Sequence, residues 1–242
     1  MKLKDKVIVI TGASSGLGKS LANKAADEGA TVILIARRRD LLEKVVKDIK
    51  DRGGSADYFI CDIRNLPSVQ ETVSEIFKEY KHVDILVNNA GIWTDEELEK
   101  KQPERRKLAF ETNALGNIQM TKEFLPHFQK SNQGYIFNVI SSSGIGDSLA
   151  GDNTAWQTYG ATKWAMTGFT KALKDSLAGT KIKVTGFHPG GFESDLYESA
   201  GISKAHQQPW MMRTDDLTDV IIFALTRPDD MVMERILVTK VQ

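Results

Sequence analysis

The stretch Val7-Ile8-Val9-Ile10-Thr11-Gly12-Ala13-Ser14-Ser15-Gly16-Leu17-Gly18 decides the fold. A run of β-branched residues suits a buried strand. It ends in a Gly-x3-Gly-x-Gly turn that opens an apolar-periodic segment. Glycine permits positive φ and close approach of the backbone to a ligand. A helix that starts there turns unpaired N–H groups and the positive end of its dipole toward an anion. The spacing is not the Gly-x-Gly-x-x-Gly of the usual dinucleotide fingerprint, and a tight strand-to-helix turn would also use glycines. Its place at the head of an alternating series favours a nucleotide pyrophosphate. Gly12, Ser14, Ser15, Gly16, Leu17 and Gly18 are therefore candidate cofactor contacts.

Working outward, short β-branched runs recur at 7–11, 31–36, 57–61, 85–88, 135–140, 183–187 and 235–239. Helix-period segments lie between them at 17–28, 40–52, 68–80, 105–130, 156–178 and 215–226. Such alternation predicts βαβ units and a parallel sheet covered on both faces. No linker, repeat or low-complexity tract divides residues 1–242, so a single domain is expected. Two long connections, 145–158 and 190–213, have the length of lids or substrate loops.

The second strand runs into Ile35-Ala36-Arg37-Arg38-Arg39, with no acid before Asp40. An acidic residue there binds a ribose 2′-hydroxyl, whereas a basic one accommodates a 2′-phosphate. Basic residues are disfavoured at a helix start, so their presence points to NADP over NAD. Arg37 is the leading phosphate contact, with Arg38 and Ser14 as helpers. Thirty-two Lys and Arg balance 32 Asp and Glu, so no global field points to nucleic acid or an anionic membrane. The single cysteine, Cys61, excludes an intrachain disulfide and fits a reducing compartment. No signal-peptide core or membrane-length apolar run is present; a cytoplasmic protein is expected. The four histidines show no metal spacing, and His188 reads as structural.

Tyr159-Gly160-Ala161-Thr162-Lys163 places a phenol and an ammonium on one helix face. The ammonium is expected to lower the phenol pKa and so ready it for proton transfer. Alone, the spacing also describes an ordinary helix surface. Together with Thr11-Gly12-x3-Gly16-x-Gly18, Asp62, Asn88-Asn89-Ala90-Gly91, Asn113, a serine cluster and Pro189-Gly190, the chain resembles the short-chain dehydrogenase/reductase family from Lys6 to about Val238. The resemblance implies a Rossmann-like, doubly wound seven-stranded α/β sheet in the order 3-2-1-4-5-6-7. It implies that Asp62 and Ile63 hold the adenine and that Asn89, Ala90 and Gly91 line the adenosine ribose. Asn113 would kink its helix and hold a water relaying protons to Lys163, which also binds the nicotinamide ribose. The segment from Pro189 through Gly190 and Phe192 to Ser194 would cradle the carboxamide.

The family's strand-five motif, matched from Gly134 to Gly144, makes Ser141 the catalytic serine; a one-residue slide chooses Ser142. Ser141 precedes Tyr159 by 18 residues, more than is usual in the family, which implies an insertion within 145–158. Carbonyl reduction would then use hydride from NADPH, a proton from Tyr159 and a hydrogen bond from Ser141. The carboxyl-terminal sequence resembles NADP-dependent 3-hydroxy acid and carbonyl reductases. A 3-oxoacyl-thioester reductase and a non-catalytic NADP-binding sensor or scaffold are the competing readings. The resemblance further implies a homotetramer or homodimer through helices 105–130 and 156–178. Glu96-Glu97-Leu98-Glu99-Lys100-Lys101 reads as a solvated helix face. Trp210, Met211 and Met212 read as core or, with Trp93, Trp156, Phe192 and Tyr197, as an apolar wall for the substrate.

Overall fold

A computed structural model describes residues 3–145, 157–201 and 208–241. Seven strands form one parallel sheet in the order β3-β2-β1-β4-β5-β6-β7. They are β1 (Val7–Thr11), β2 (Thr31–Ala36), β3 (Ser55–Ile60), β4 (Ile85–Asn88), β5 (Gly134–Val139), β6 (Ile182–Pro189) and β7 (Arg235–Val238). The expected order holds, with strand ends moved by one or two residues; β6 runs on through Pro189, where Gly190 N–H donates to the Val238 carbonyl.

The central strands are apolar on both faces because both faces are covered. Ile8, Ile10, Val32, Leu34, Phe137 and Phe187 pack against α1 (Gly16–Asp27), α2 (Arg39–Asp51) and α8 (Thr214–Leu225). Val9, Ile33, Ile35, Leu86 and Ile136 point the other way, onto α3 (Leu66–Glu79), α6 (Asn117–Ser131) and α7 (Gln157–Ser176). Chain winding reverses between β1 and β4, which pair directly. A crevice opens at the carboxyl ends of strands at such a switch point.

Two helical elements differ from expectation. The charged run forms a short helix, α4 (Glu96–Lys101), capped by Asp95, whose carboxylate accepts from Leu98 N–H at 2.8 Å. It is not solvated all round: Leu98 packs against Trp93 and Tyr159. Glu99 accepts from Thr94 and Thr158 hydroxyls at 2.9 and 3.0 Å, tying α4 to the start of α7. The expected helix 105–130 is α5 (Arg105–Phe110) and α6 joined by a π-helical turn, Glu111–Gly116. Asn113 lies in that turn, the kind of interruption that marks functional sites. Residues 146–156 of the segment 145–158 expected to hold the insertion, Trp156 among them, and His206 lie outside the described residues.

Candidate active site

The glycine turn is shaped by contact with the end of β4. Gly12 has φ +66°, and a Cβ there would stand 2.8 Å from Ala90 Cα. At Gly18 a Cβ would meet Asn89 Nδ2 and the Gly12 carbonyl at 2.5 Å. Thr11 fixes the opposing segment: its hydroxyl accepts from Asn89 and Ala90 N–H at 2.9 and 3.0 Å. Asn89 Nδ2 in turn donates to the Thr11 carbonyl at 2.9 Å. The Ser15 side chain does not cap α1, and no acid lies in its first turn. The Gly16 N–H instead donates to the Asp195 carboxylate at 2.9 Å.

Arg38 reaches back across this turn, donating to Ser14 and Ser15 hydroxyls at 3.0 and 2.9 Å. Arg37 lines the same cleft beside Asp62. The Asp62 carboxylate accepts a fork of hydrogen bonds from Arg64. That pairing, with Arg37 contributing, holds the Asp62 carboxyl below its ordinary range. Ile63, Asn89, Ala90, Gly91, Leu17, Pro189, Gly190, Phe192 and Ser194 complete the predicted set along the cleft, whose volume is about 340 Å³. Gly18 stays beneath it, as packing.

Tyr159 and Lys163 stack on α7 at 7% and 5% exposure. The Lys163 ammonium lies 5.5 Å from the Tyr159 ring centroid. The expected lowering of the phenol pKa is not what this geometry gives. Burial dominates and pushes the Tyr159 phenol up, with Tyr197 adding to the rise and a hydrogen bond from Ser141 opposing it. Burial likewise pulls Lys163 down to about 8. Both charged forms lose water, and at that separation the attraction does not offset the loss.

Ser141 is held from three sides. Its carbonyl accepts from His188 Nδ1–H at 3.1 Å, its hydroxyl accepts from Ser143 N–H at 3.1 Å, and it hydrogen-bonds Tyr159. Ser142 opens the following 3-10 turn and also lines the cleft. Gly144 seats that turn on α7, since a Cβ would meet the Lys163 carbonyl at 2.8 Å. Asn113 is fully buried. Its amide donates to the Ile92 carbonyl and Thr162 hydroxyl at 3.0 and 3.2 Å, and its oxygen accepts from Ile92 N–H at 2.7 Å.

The far end of the cleft is aromatic. The Trp93 ring lies 4.7 Å from Tyr159 and 4.8 Å from Tyr197. Trp210 is 47% exposed and covers Gly191 rather than lining the cleft. Met211 is buried, Met212 packs on the core below β6, and Phe192 both joins that packing and lines the cleft. The predicted apolar wall is thus Trp93 and Tyr197, joined by Leu196. Arg64, Arg105 and Asp195 were not anticipated. The basic first turn that flagged Arg37–Arg39 also occurs at Arg105-Arg106, so that signal was available.

A doubly wound parallel sheet whose switch-point cleft joins a glycine turn to a Tyr–Lys pair defines a Rossmann-type nucleotide-binding protein. The chain belongs to the short-chain dehydrogenase family, whose model matches residues 6–204. It is 31% identical to an NADP-dependent 3-hydroxy acid dehydrogenase of Schizosaccharomyces pombe, covering 98% of this chain and 93% of that protein. It is 33% identical to a 3-oxoacyl-[acyl-carrier-protein] reductase of Thermotoga maritima, covering 82% and 78%. An alcohol dehydrogenase from Thermococcus sibiricus, solved with 5-hydroxy-NADP, superposes with a TM-score of 0.85 at 26% identity, covering 98% and 97%.

Proposed function

We propose that this chain is an NADP(H)-dependent oxidoreductase interconverting a carbonyl and a secondary alcohol. The observation that carries this reading is the meeting, in one cleft, of a phosphate-binding turn and the Ser141–Tyr159–Lys163 set. The donors present fit the dinucleotide. Backbone and Asn89 close around Gly12. Arg37 and Arg38 stand where a 2′-phosphate is recognised, Arg38 already clasping two serine hydroxyls. Thr112, which lines the cleft, buries a hydroxyl with no partner among the described residues. Asp62 and Ile63 take the adenine, Asn89 to Gly91 the ribose, and Pro189 to Ser194 the carboxamide.

The nicotinamide, when bound, supplies or accepts the hydride. The protein's part is positional and protonic. Tyr159 enters reduction protonated, since burial raises its pKa, and donates to the oxygen of the carbonyl being reduced. Ser141 gives that oxygen a second hydrogen bond and aims it. Lys163, with a pKa near 8, keeps positive potential beneath the phenol at neutral pH and binds the nicotinamide ribose. Asn113, buried in the π turn, continues the proton path through water to Lys163.

We read residues 1–242 as a single catalytic domain with a substrate loop at 190–213. The ends of that loop are pinned together: Met212 N–H donates to the Gly191 carbonyl, and Glu193 N–H to the Met212 carbonyl, both at 3.0 Å. Exposed Phe110, Leu115 and Trp164 on α5, the π turn and α7 support a homodimer or homotetramer built on those helices. No helix among the described residues is long and apolar enough to cross a membrane, and the lone buried Cys61 fits action in the reducing cytoplasm. A thioester substrate is the second reading, favoured by the likeness to the Thermotoga maritima reductase.

Binding of NADPH and NADH should be compared first, then NADPH consumption followed with a panel of ketones, oxo acids and acetoacetyl thioesters. NADPH binding tighter than NADH with turnover of at least one carbonyl is the expected result. Tight NADPH with no turnover across the panel would make the chain a sensor.

A further inference from the structure

Among the described residues, Arg105 is a cleft cation to which neither the dinucleotide nor the proton transfer gives a role. Arg105, at the start of α5, is half-buried and lines the cleft beside Trp93. Its Nε and Nη2 donate to a single acceptor, the Trp93 carbonyl, both at 3.2 Å. Nη1 has no partner, and no carboxylate forms an ion pair with this guanidinium among the described residues; Glu104 next to it is exposed and acts only at longer range. Of the other arginines of the region, Arg37 stands at the 2′-phosphate position assigned above, beside Asp62, and the rest are engaged. Arg64 forks onto Asp62, Arg38 clasps Ser14 and Ser15, and Arg106 faces Glu99 at 3.9 Å.

A guanidinium partly withdrawn from water without an anion carries a desolvation cost, and the more buried such groups are the more regularly they are paired. Tying down one carbonyl does not need a full charge, since any neutral N–H donor would serve. The location says what the charge is for. The carbonyl held by Arg105 belongs to the residue whose ring lies 4.7 Å from the Tyr159 ring. Across that ring Tyr197 presents a phenol with no hydrogen bond among the described residues, which burial keeps protonated by raising its pKa to about 12. A planar fork with a free edge matches a carboxylate better than any neutral group.

We propose that Arg105 is a specificity-determining residue that binds a carboxylate carried by the substrate on the Trp93 side of the reacting carbon. Small oxo acids and the matching hydroxy acids are then the substrate class. This rests on the carbonyl–alcohol reading above and narrows it: a thioester or a simple ketone lacks the charge that Arg105 is placed to meet.

The test compares acetoacetate, methyl acetoacetate and acetoacetyl-CoA as oxidants of NADPH. Arg105→Gln keeps a donor for the Trp93 carbonyl and removes the charge; Arg105→Lys keeps the charge and loses the fork. The native protein should prefer acetoacetate over its methyl ester. Arg105→Gln should shrink that ratio of kcat/KM by about 10- to 100-fold, mostly through KM. Arg105→Lys should restore part of it, and the Kd of NADPH should stay within about twofold in both variants. An unchanged ratio, a native preference for the thioester, or NADPH binding that weakens in step with the loss would each overturn the proposal. If the native protein reduces no carbonyl, the oxidoreductase reading fails by itself. Arg105 is then judged by calorimetric titration of the NADPH-loaded protein with acetoacetate. Binding that Arg105→Gln abolishes upholds the anion site, while equal binding, or none to the native protein, overturns it.

Discussion

The two ends of the cleft are built from different materials. At the glycine turn the cleft is shaped by backbone, with Arg37 and Arg38 at its rim. Gly12 and Gly18 let two chain segments close to distances that no side chain would permit, and Thr11 and Asn89 lock them there. The other end is lined by side chains brought from far apart in the chain: Trp93, Arg105, Tyr159 and Tyr197. Backbone cradles depend on the fold and resist change. Side-chain walls are exchangeable, which is how one fold serves many substrates. The two ends meet at Ser141, Tyr159 and Lys163.

The largest effect belongs to that meeting point. Tyr159→Phe removes the transferable proton while keeping the ring against Trp93. Turnover of a good carbonyl substrate should fall by about 10²- to 10⁴-fold with NADPH affinity little changed. Ser141→Ala should cost less, since it removes one hydrogen bond to the same oxygen. Near-normal turnover of the phenylalanine variant would detach the Tyr–Lys pair from the chemistry altogether. At the phosphate end, Arg37→Ala and Arg38→Ala should each weaken NADPH by about tenfold while weakening NADH much less. Arg37 should show the larger selective loss, because the Arg38 guanidinium is partly engaged by Ser14 and Ser15. Equal losses for both dinucleotides would mean that the arginines act on the turn rather than on a 2′-phosphate.

This contrast explains what was readable in the sequence. Strand–helix alternation and the glycine turn are local patterns, so the parallel sheet and the phosphate cradle could be read from them directly, while the strand order came with the family resemblance. The Tyr159–Lys163 spacing is local too, and its place on one helix face follows from helix geometry. Its electrostatics did not follow. The sign of the Tyr159 shift depends on burial by Trp93, Leu98, Ala200 and Tyr197, which no local window reports. Leu98 and Glu99 were hidden in a charged run because their inward faces exist only once α4 packs against α7. Trp210 failed as a pocket residue for a similar reason: the ring folds over Gly191, a contact between segments well separated in the chain.

The buried ammonium at the junction should be visible in stability. Lys163 titrates near 10.5 when unfolded and near 8 here because burial disfavours its charge. Between those pH values the unfolded chain binds more protons, so stability rises with pH across that window. Below about 8 both states are protonated, and the full cost of the buried charge is present. Lys163→Met in the cofactor-free protein should therefore be more stable at pH 7 by about 2–3 kcal/mol. The advantage should fade as pH approaches 10.5. Denaturant unfolding at several pH values checks this, and a pH-independent difference would mean that packing, not charge, separates the two proteins.

The smallest effect probes a contact that joins the two ends directly. Asp195, in the segment after β6, accepts a hydrogen bond from Gly16 N–H at the start of α1. In the proposed binding mode that N–H belongs to the helix end that meets the dinucleotide phosphates, so carboxylate and phosphate would compete for one positive pole. The carboxylate also repels a phosphate that takes its place. Asp195→Asn keeps a weaker acceptor and removes the charge. NADPH should then bind about 3- to 10-fold more tightly at low ionic strength, with the gain shrinking as salt screens the repulsion. Weaker binding in the variant would mean that the carboxylate supports the loaded cleft, holding the substrate loop in place rather than guarding the phosphate site. The two ends would then be coupled by attraction instead of exclusion.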